Sequence, residues 1–140
     1  MALRCHHIRS AVFFAALLIV AAVPALGAWT EIGSSRGPDG FILYVDPLRL
    51  PEEHRILVVF PHLKQFSRPQ VHSGTGRLIE SLFVEVEYDC HRERERVIQT
   101  IAYAEAMGHG TVVATEAGDG QWRDILLGDQ RGVLWKEACR

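Results

Sequence analysis

Three acidic side chains alternate with apolar ones along a short segment of the chain. Residues 81–90 read Ser-Leu-Phe-Val-Glu-Val-Glu-Tyr-Asp-Cys. This period of two is typical of a half-buried β-strand and places Glu85, Glu87 and Asp89 on one face, with neighbours about 7 Å apart. Such spacing suits a general acid and base pair or a weak calcium site. The arginine-rich segment 92–96 favours the alternative, a solvated face on which acids and arginines pair across a hairpin.

Histidines and glycines are the other residue types with chemical potential. The histidines beyond residue 27 show no i, i+2 or i, i+4 spacing, so they predict no metal site: His54, His62, His72, His91 and His109. Gly74-Thr-Gly76 and Gly108-His-Gly110 lack the residues that complete a phosphate loop and are predicted turns. No G-x-S-x-G motif is present, so the sequence predicts neither an enzyme nor a cofactor.

The N-terminal residues have the features of a secretory signal peptide. Two arginines precede an apolar run over residues 11–23, and residues 25–27 form a small-residue cleavage signal. We expect cleavage between Gly27 and Ala28, which removes residues 1–27. The run is shorter than the roughly 20 residues needed to span a membrane, which predicts no transmembrane anchor. No cysteine follows the run at the cleavage point, so no lipid is expected either.

Two cysteines, Cys90 and Cys139, remain after this processing. Export carries them to an oxidising compartment, where the only intramolecular bridge they can form is with each other. Closing a loop of this length stabilises a fold by about 4 kcal/mol. The net charge of the whole chain is −2, and the sequence contains no run of consecutive lysine or arginine residues. Both observations argue against a nucleic-acid partner.

The segments around this strand predict a small antiparallel sheet, because β-branched and aromatic runs alternate with turn-forming residues. The six predicted strands cover residues 28–32, 41–46, 55–60, 81–90, 93–103 and 111–115. Pro61 is expected to end the third strand, since proline cannot donate to a ladder. Residues 62–77 are then the longest loop. The inward face of the fifth strand stays undecided, because Val97 and Ile98 are adjacent.

A single helix is predicted after the sheet. Asp129 is a suitable N-cap for a helix over residues 130–139, on which Val133, Trp135 and Ala138 are expected to face the sheet. A helix of this length is marginal alone. The predicted fold is therefore α+β and mainly β, a six-stranded antiparallel sheet with a C-terminal helix tethered to it by the disulfide.

Aromatic residues permit two interpretations. Trp29, Trp122 and Trp135 are predicted to fill the core between sheet and helix, and the alternative is an exposed aromatic binding surface. Phe83 lies on the otherwise polar face of its strand. A large apolar side chain in that place suggests a contact with a partner, such as the other subunits of an envelope complex.

Several short features recur in the order known from one protein family: Trp29, Tyr44-Val-Asp46, Glu87-Tyr-Asp-Cys90, the arginines of 92–96, Tyr103, Met107-Gly-His-Gly110, Trp122-Arg-Asp-Ile125 and Cys139. In this order and spacing, residues 28–140 resemble the surface-adhesin protein E family. The resemblance implies a six-stranded antiparallel sheet with a C-terminal helix joined to it by a disulfide, in agreement with the strand pattern.

Function follows from this resemblance less directly than fold does. The family takes its name from a bacterial surface lipoprotein that binds host matrix and plasma proteins and can dimerise. The resemblance thus implies an exported, non-enzymatic binding domain whose ligand is a host matrix protein or an envelope component, with a homodimer as a further expectation. Its expected location is the periplasm or the cell surface. No binding residue carries over, because no motif of the host-binding segment is matched.

Two other functions remain alternatives to a binding domain. One is a small periplasmic enzyme or metal-binding protein that uses Glu85, Glu87, Asp89 and nearby histidines. The other is a structural subunit of an envelope complex.

Overall fold

The chain folds as an antiparallel meander with a helix packed on one face. The computed structural model describes residues 29–51 and 55–140, and these residues form seven strands and one α-helix. The elements are β1 (Thr30–Ser35), β2 (Phe41–Val45), β3 (Leu57–Val71), β4 (Leu78–Asp89), β5 (Arg94–Tyr103), β6 (Val112–Ala117), β7 (Arg123–Asp124) and α1 (Gln130–Ala138).

The strands lie in the sheet in the order in which they occur in the chain, from β1 to β6. This arrangement confirms the predicted six-stranded antiparallel sheet. A short extra strand, β7, pairs with the beginning of β5 through Arg94 opposite Asp124. β7 is not predicted from the sequence, because a strand of two residues is too short to show alternation.

The main core lies between the sheet and α1. Its buried side chains come from three strands, the segment after β7 and the helix: Phe41, Leu43, Val45, Val58, Phe60, Val86, Tyr88, Ile125, Leu134 and Ala138. A smaller cluster of Ile79, Ala102 and Val113 lies elsewhere in the sheet. Burying one large apolar side chain contributes about 1.5–3 kcal/mol, so the main cluster supplies most of the packing energy.

The predicted end of the third strand at Pro61 is wrong, and so is the loop over residues 62–77. β3 continues through Pro61 to Val71. Proline is tolerated there because the ladder between β2 and β3 begins only at His62, so that Pro61 lies outside it. Further along, the register with β4 shifts between Gln65 and Gln70, and a β-bulge of this kind hides the period-two pattern from sequence analysis.

A second bulge decides the face of β5 that the sequence left open. Gln99 lies opposite Glu85, and Val97 lies opposite Val86, so that Ile98 is the extra residue. Val97 packs against the main core, whereas Ile98 is 39% exposed. The two adjacent apolar residues therefore need not share a face, because the bulge breaks the alternation between them.

The helix begins as predicted, since the side chain of Asp129 accepts hydrogen bonds from the backbone N–H groups of Arg131 and Gly132. The inward residues are partly different from those expected. Leu134 and Ala138, one helical turn apart, are buried, whereas Val133 is 37% exposed. Val133 faces the sheet as predicted, with its Cγ1 3.8 Å from where a Cβ on Gly33 of β1 would lie, but it is not buried.

The disulfide between Cys90 and Cys139 is present, with the two Cα atoms 5.5 Å apart. It joins the residue after β4 to the residue after α1, which confirms the predicted tether between sheet and helix. None of the helices in the described ranges is long and apolar enough to cross a membrane. The predicted signal peptide and its cleavage point between Gly27 and Ala28 lie outside the described residues.

Candidate functional site: the open face of the sheet

The sheet has one face covered by α1 and one opposite it, which we call the open face. On β4, Val86 and Tyr88 point into the core beneath the helix. Strand alternation therefore places Phe83, Glu85 and Glu87 on the open face. The acidic residues singled out in the sequence belong to this face.

Each acidic residue of this row has a partner on β5 or in the turn before it. Glu87 Oε2 lies 2.5 Å from the Arg96 guanidinium, and Glu85 Oε2 accepts a hydrogen bond of 2.8 Å from the side-chain amide of Gln99. Each of these pairs joins residues directly opposite each other in the β4–β5 ladder. The geometry favours the predicted pairing of acids with arginines over a general acid and base pair.

Asp89 closes the row at the hairpin turn. Burial alone would raise the pKa of Asp89, but the backbone N–H of Arg92 and the guanidinium of Arg94 hydrogen-bond its carboxylate and hold that pKa below its usual value. The ring of Trp122 contacts two of the arginines that pair with this acidic row. Its centre lies 4.8 Å from the guanidinium carbon of Arg96 and 5.4 Å from that of Arg94. Cation–π contacts thus hold the arginines in place for their acidic partners.

The histidines of the described ranges lie in separate places. His62 is buried beneath the helix, His72 is next to Glu116, His91 is in the exposed β4–β5 turn and His109 follows the short turn after β5. In the described residues no group of three or more His, Cys, Asp or Glu side chains is positioned to hold a metal. His54, the remaining histidine considered in the sequence, lies outside the described residues.

An apolar groove of about 450 Å³ occupies the open face next to the acidic row. Its lining combines side chains from β3, β4 and β5 with the start of the described chain and a short turn: Trp29, Leu63, Phe83, Tyr103, Met107, Gly108 and His109. Leu63 forms its buried floor, at 1% exposed. An aromatic and aliphatic cleft with few polar groups is the usual form of a binding site for an apolar group.

One wall of the groove is a 3₁₀ turn at Ala106–Gly108, held against the sheet by the half-buried Gln65 and the fully buried Ser81. Gln65 Oε1 accepts a hydrogen bond of 2.7 Å from the Met107 backbone N–H, and Ser81 Oγ accepts one of 2.9 Å from that of Gly108. Met107 adopts a φ of 55°, which is uncommon for a residue with a side chain. Strained backbone held by surrounding contacts occurs most often at functional sites.

The groove as a whole is not predicted from the sequence. Leu63 and Gln65 fall in the segment mistaken for a loop, and Ser81 gives no signal because its role depends on a turn more than 20 positions away. The available signals were Phe83, an apolar residue on a polar strand face, and the motif residues Trp29, Tyr103 and Met107, which the sequence did not place together. The prediction that all three tryptophans fill the core is wrong for Trp29 and Trp122 and correct for Trp135, which packs against the core.

Residues 29–140 match the family model described as Surface-adhesin protein E. The chain belongs to the surface-adhesin protein E family. The match covers every element of the sheet and the helix, and the resemblance drawn from the sequence is confirmed.

The crystal structure of protein E from non-typeable Haemophilus influenzae is similar to that of this family member. The two chains are 15% identical over 67% of this chain and 66% of that one, with a TM-score of 0.47. The matched region thus spans about two thirds of the length of protein E. No curated protein is significantly similar in sequence.

Most of the features that carry the family resemblance lie on the open face or tether the helix. Trp29, Tyr103 and the Met107-Gly-His-Gly110 segment build the groove, whereas Glu87 and Trp122 belong to the charged row. The closing cysteine forms the disulfide. These separate stretches of sequence therefore form one surface and one crosslink in the fold.

Proposed function

We propose that this member of the surface-adhesin protein E family is an exported, non-enzymatic binding domain that takes a protein ligand on its open face. The observation that carries the proposal is the apolar groove, whose wall is a strained turn held by Gln65 and Ser81. Family membership supports adhesion as the role, and a host matrix protein or an envelope component is the proposed partner.

The groove indicates which part of a partner it would bind. Its lining is dominated by aromatic and aliphatic side chains, which suits an apolar or aromatic anchor residue entering from a partner segment. The charges of the neighbouring row already pair with one another, so they add little attraction for a charged ligand. Affinity should therefore depend on the groove and respond only weakly to salt.

A polar substitution in the groove tests this site. We expect Phe83→Ser to weaken binding to a purified host matrix protein by about tenfold or more, because a central apolar anchor contact is lost. Surface plasmon resonance against a panel of such proteins provides the measurement. The matched control is Leu126→Ser, since Leu126 is 65% exposed and lies outside the groove.

Equal loss of binding in both variants, or no loss in Phe83→Ser, would contradict a ligand site in the groove. Sedimentation of the same variants tests the proposed homodimer. If Phe83→Ser changes the oligomeric state while Leu126→Ser does not, the groove is the contact between two copies.

We further propose that residues 1–27 direct export, that residues 28–140 form the mature domain after cleavage between Gly27 and Ala28, and that this domain carries no lipid. It would act in the periplasm or at the cell surface. Protease shaving of intact cells, with osmotic-shock release in parallel, measures its location. Digestion on intact cells would support adhesion, whereas protection together with release by shock would direct the search to a periplasmic partner.

A further inference from the structure

A second cavity, of about 250 Å³, lies on the helix face of the sheet, beneath the N-terminal half of α1. Its apolar walls come from three strands and the helix: Leu43, Leu82, Val84, Val86, Val97 and Leu134. It is separate from the groove, which is on the other face. The walls are suited to an aliphatic ligand.

Two buried polar atoms in this cavity lack a hydrogen-bond partner. His62 is 6% exposed and Tyr88 is fully buried, and neither His62 Nδ1 nor the Tyr88 hydroxyl is hydrogen-bonded within the described residues. Buried polar groups are nearly always paired, because an unpaired group loses its hydration without compensation. Unpaired groups lining one cavity therefore indicate an occupant that can hydrogen-bond.

The cavity also holds a lysine that no carboxylate neutralises among the residues described. Lys64 Nζ lies 3.9 Å from the centre of the Phe41 ring and 5.4 Å from that of Phe66. Arg131, the other cation of the lining, already contacts Asp129 at 3.0 Å and Glu95 at 3.7 Å. Burial lowers the pKa of Lys64, and a bound anion would offset this cost. Lys64 is thus the cation available to an anionic ligand.

The strand register separates the two polar ends of the cavity. His62 lies opposite Val84, and Tyr88 lies opposite Val58, so that the two are four residues apart along the ladder. At one strand rise per residue this separation is roughly 13 Å. An unbranched chain of about ten atoms matches that length, and a cavity of about 250 Å³ has room for it.

We propose that this cavity binds an unbranched, medium-chain carboxylate with a hydroxyl or keto group near its far end. The carboxylate lies at Lys64 and His62. The chain follows Val84 and Val86, and the far polar group meets the Tyr88 hydroxyl. This ligand satisfies both polar ends and fills the apolar middle with methylene groups.

Isothermal titration calorimetry of the oxidised protein tests the proposal. The ligands are 10-hydroxydecanoate, decanoate and decane-1,10-diol, and each is used at a concentration below that at which it forms micelles. We expect one molecule of 10-hydroxydecanoate per chain. Lys64→Met should weaken it about ten- to hundredfold, through loss of a charged hydrogen bond, while leaving the diol unchanged. Tyr88→Phe should weaken 10-hydroxydecanoate while leaving decanoate unchanged.

The matched control is Lys136→Met on the exposed side of α1, which should bind as the unsubstituted protein does. Methionine keeps the packing of Lys64 on the two rings, and phenylalanine removes only an unpaired hydroxyl, so both variants should fold with unchanged far-UV circular dichroism. Absence of binding overturns the proposal. Equal weakening in Lys64→Met and Lys136→Met would also overturn it, because it would indicate that 10-hydroxydecanoate binds non-specifically to surface cations.

Discussion

At the scale of single residues, the pKa values of carboxyl groups shift in opposite directions on the two faces of the sheet. On the open face, Asp89 keeps a lowered pKa because its hydrogen bonds to Arg92 and Arg94 outweigh its burial. On the helix face, burial raises the pKa of Glu95, and the nearby Arg131 only partly opposes it. The helix face therefore disfavours charge, and the open face stabilises it through pairs.

His62 makes this difference measurable. Burial, followed by repulsion from Lys64, lowers the pKa of His62 from 6.5 to about 4. Between these two values His62 is protonated in the unfolded chain and neutral in the folded chain. The free energy of unfolding is therefore at its full value above pH 6.5 and falls as the pH decreases towards 4. The full difference is on the order of 3 kcal/mol.

We expect the urea midpoint of the protein to decrease between pH 6.5 and 5.5, and that of His62→Leu to decrease less over the same interval. This interval lies above the usual range of carboxyl groups, so most carboxylates stay ionised in it. Parallel pH profiles for the two proteins would mean that His62 does not control the decrease.

At the scale of elements, α1 approaches the preceding loop closely. A Cβ atom on Gly132 would lie 2.6–2.8 Å from three backbone atoms of Leu127. Glycine is unfavourable inside a helix, yet here the absence of a side chain allows the contact. Seated in this way, the helix places Leu134 and Ala138 in the core.

Gly132→Ala should therefore destabilise the protein. The helix propensity gained is about 1 kcal/mol, but backbone atoms cannot yield as a flexible side chain can. We expect a net loss of about 1–3 kcal/mol from overpacking, measured by urea denaturation.

Gly128→Ala serves as the control for this substitution, because a Cβ there meets nothing within 4 Å. It should be neutral or slightly stabilising. A Gly132→Ala variant more stable than the original protein would show that helix propensity outweighs the close contact.

At the scale of the whole molecule, one crosslink joins distant parts of the chain. Cys90 and Cys139 are 49 positions apart, and the segment between them holds β5, β6, β7 and α1. The nine-residue helix is too short to be stable in isolation. Its attachment therefore depends on the disulfide together with the buried Leu134 and Ala138.

The double variant Cys90→Ala/Cys139→Ala should lose about 4 kcal/mol of stability, because its unfolded chain is no longer closed into a loop. Differential scanning calorimetry of the oxidised and the variant protein measures the change. The reduced original protein should behave as the variant does. If oxidised and variant proteins unfold at the same temperature, the crosslink contributes nothing to the fold.

The sequence alone determined the elements with a clear local pattern. Alternation identified β4, Asp129 marked the start of α1, and the predicted signal peptide left two cysteines with one possible bridge. Such features depend on neighbouring residues or on simple pairing, so they are visible without a fold. The family resemblance likewise needed only the order and spacing of short motifs.

The tertiary structure decided what depends on register. The continuation of β3 through Pro61 depends on where the ladder with β2 begins, and the inward face of β5 depends on a bulge at Ile98. The groove combines Trp29, Leu63 and Tyr103, which are far apart in the chain. Strand pairing brings such residues together, and a shift of one position would turn each side chain to the other face.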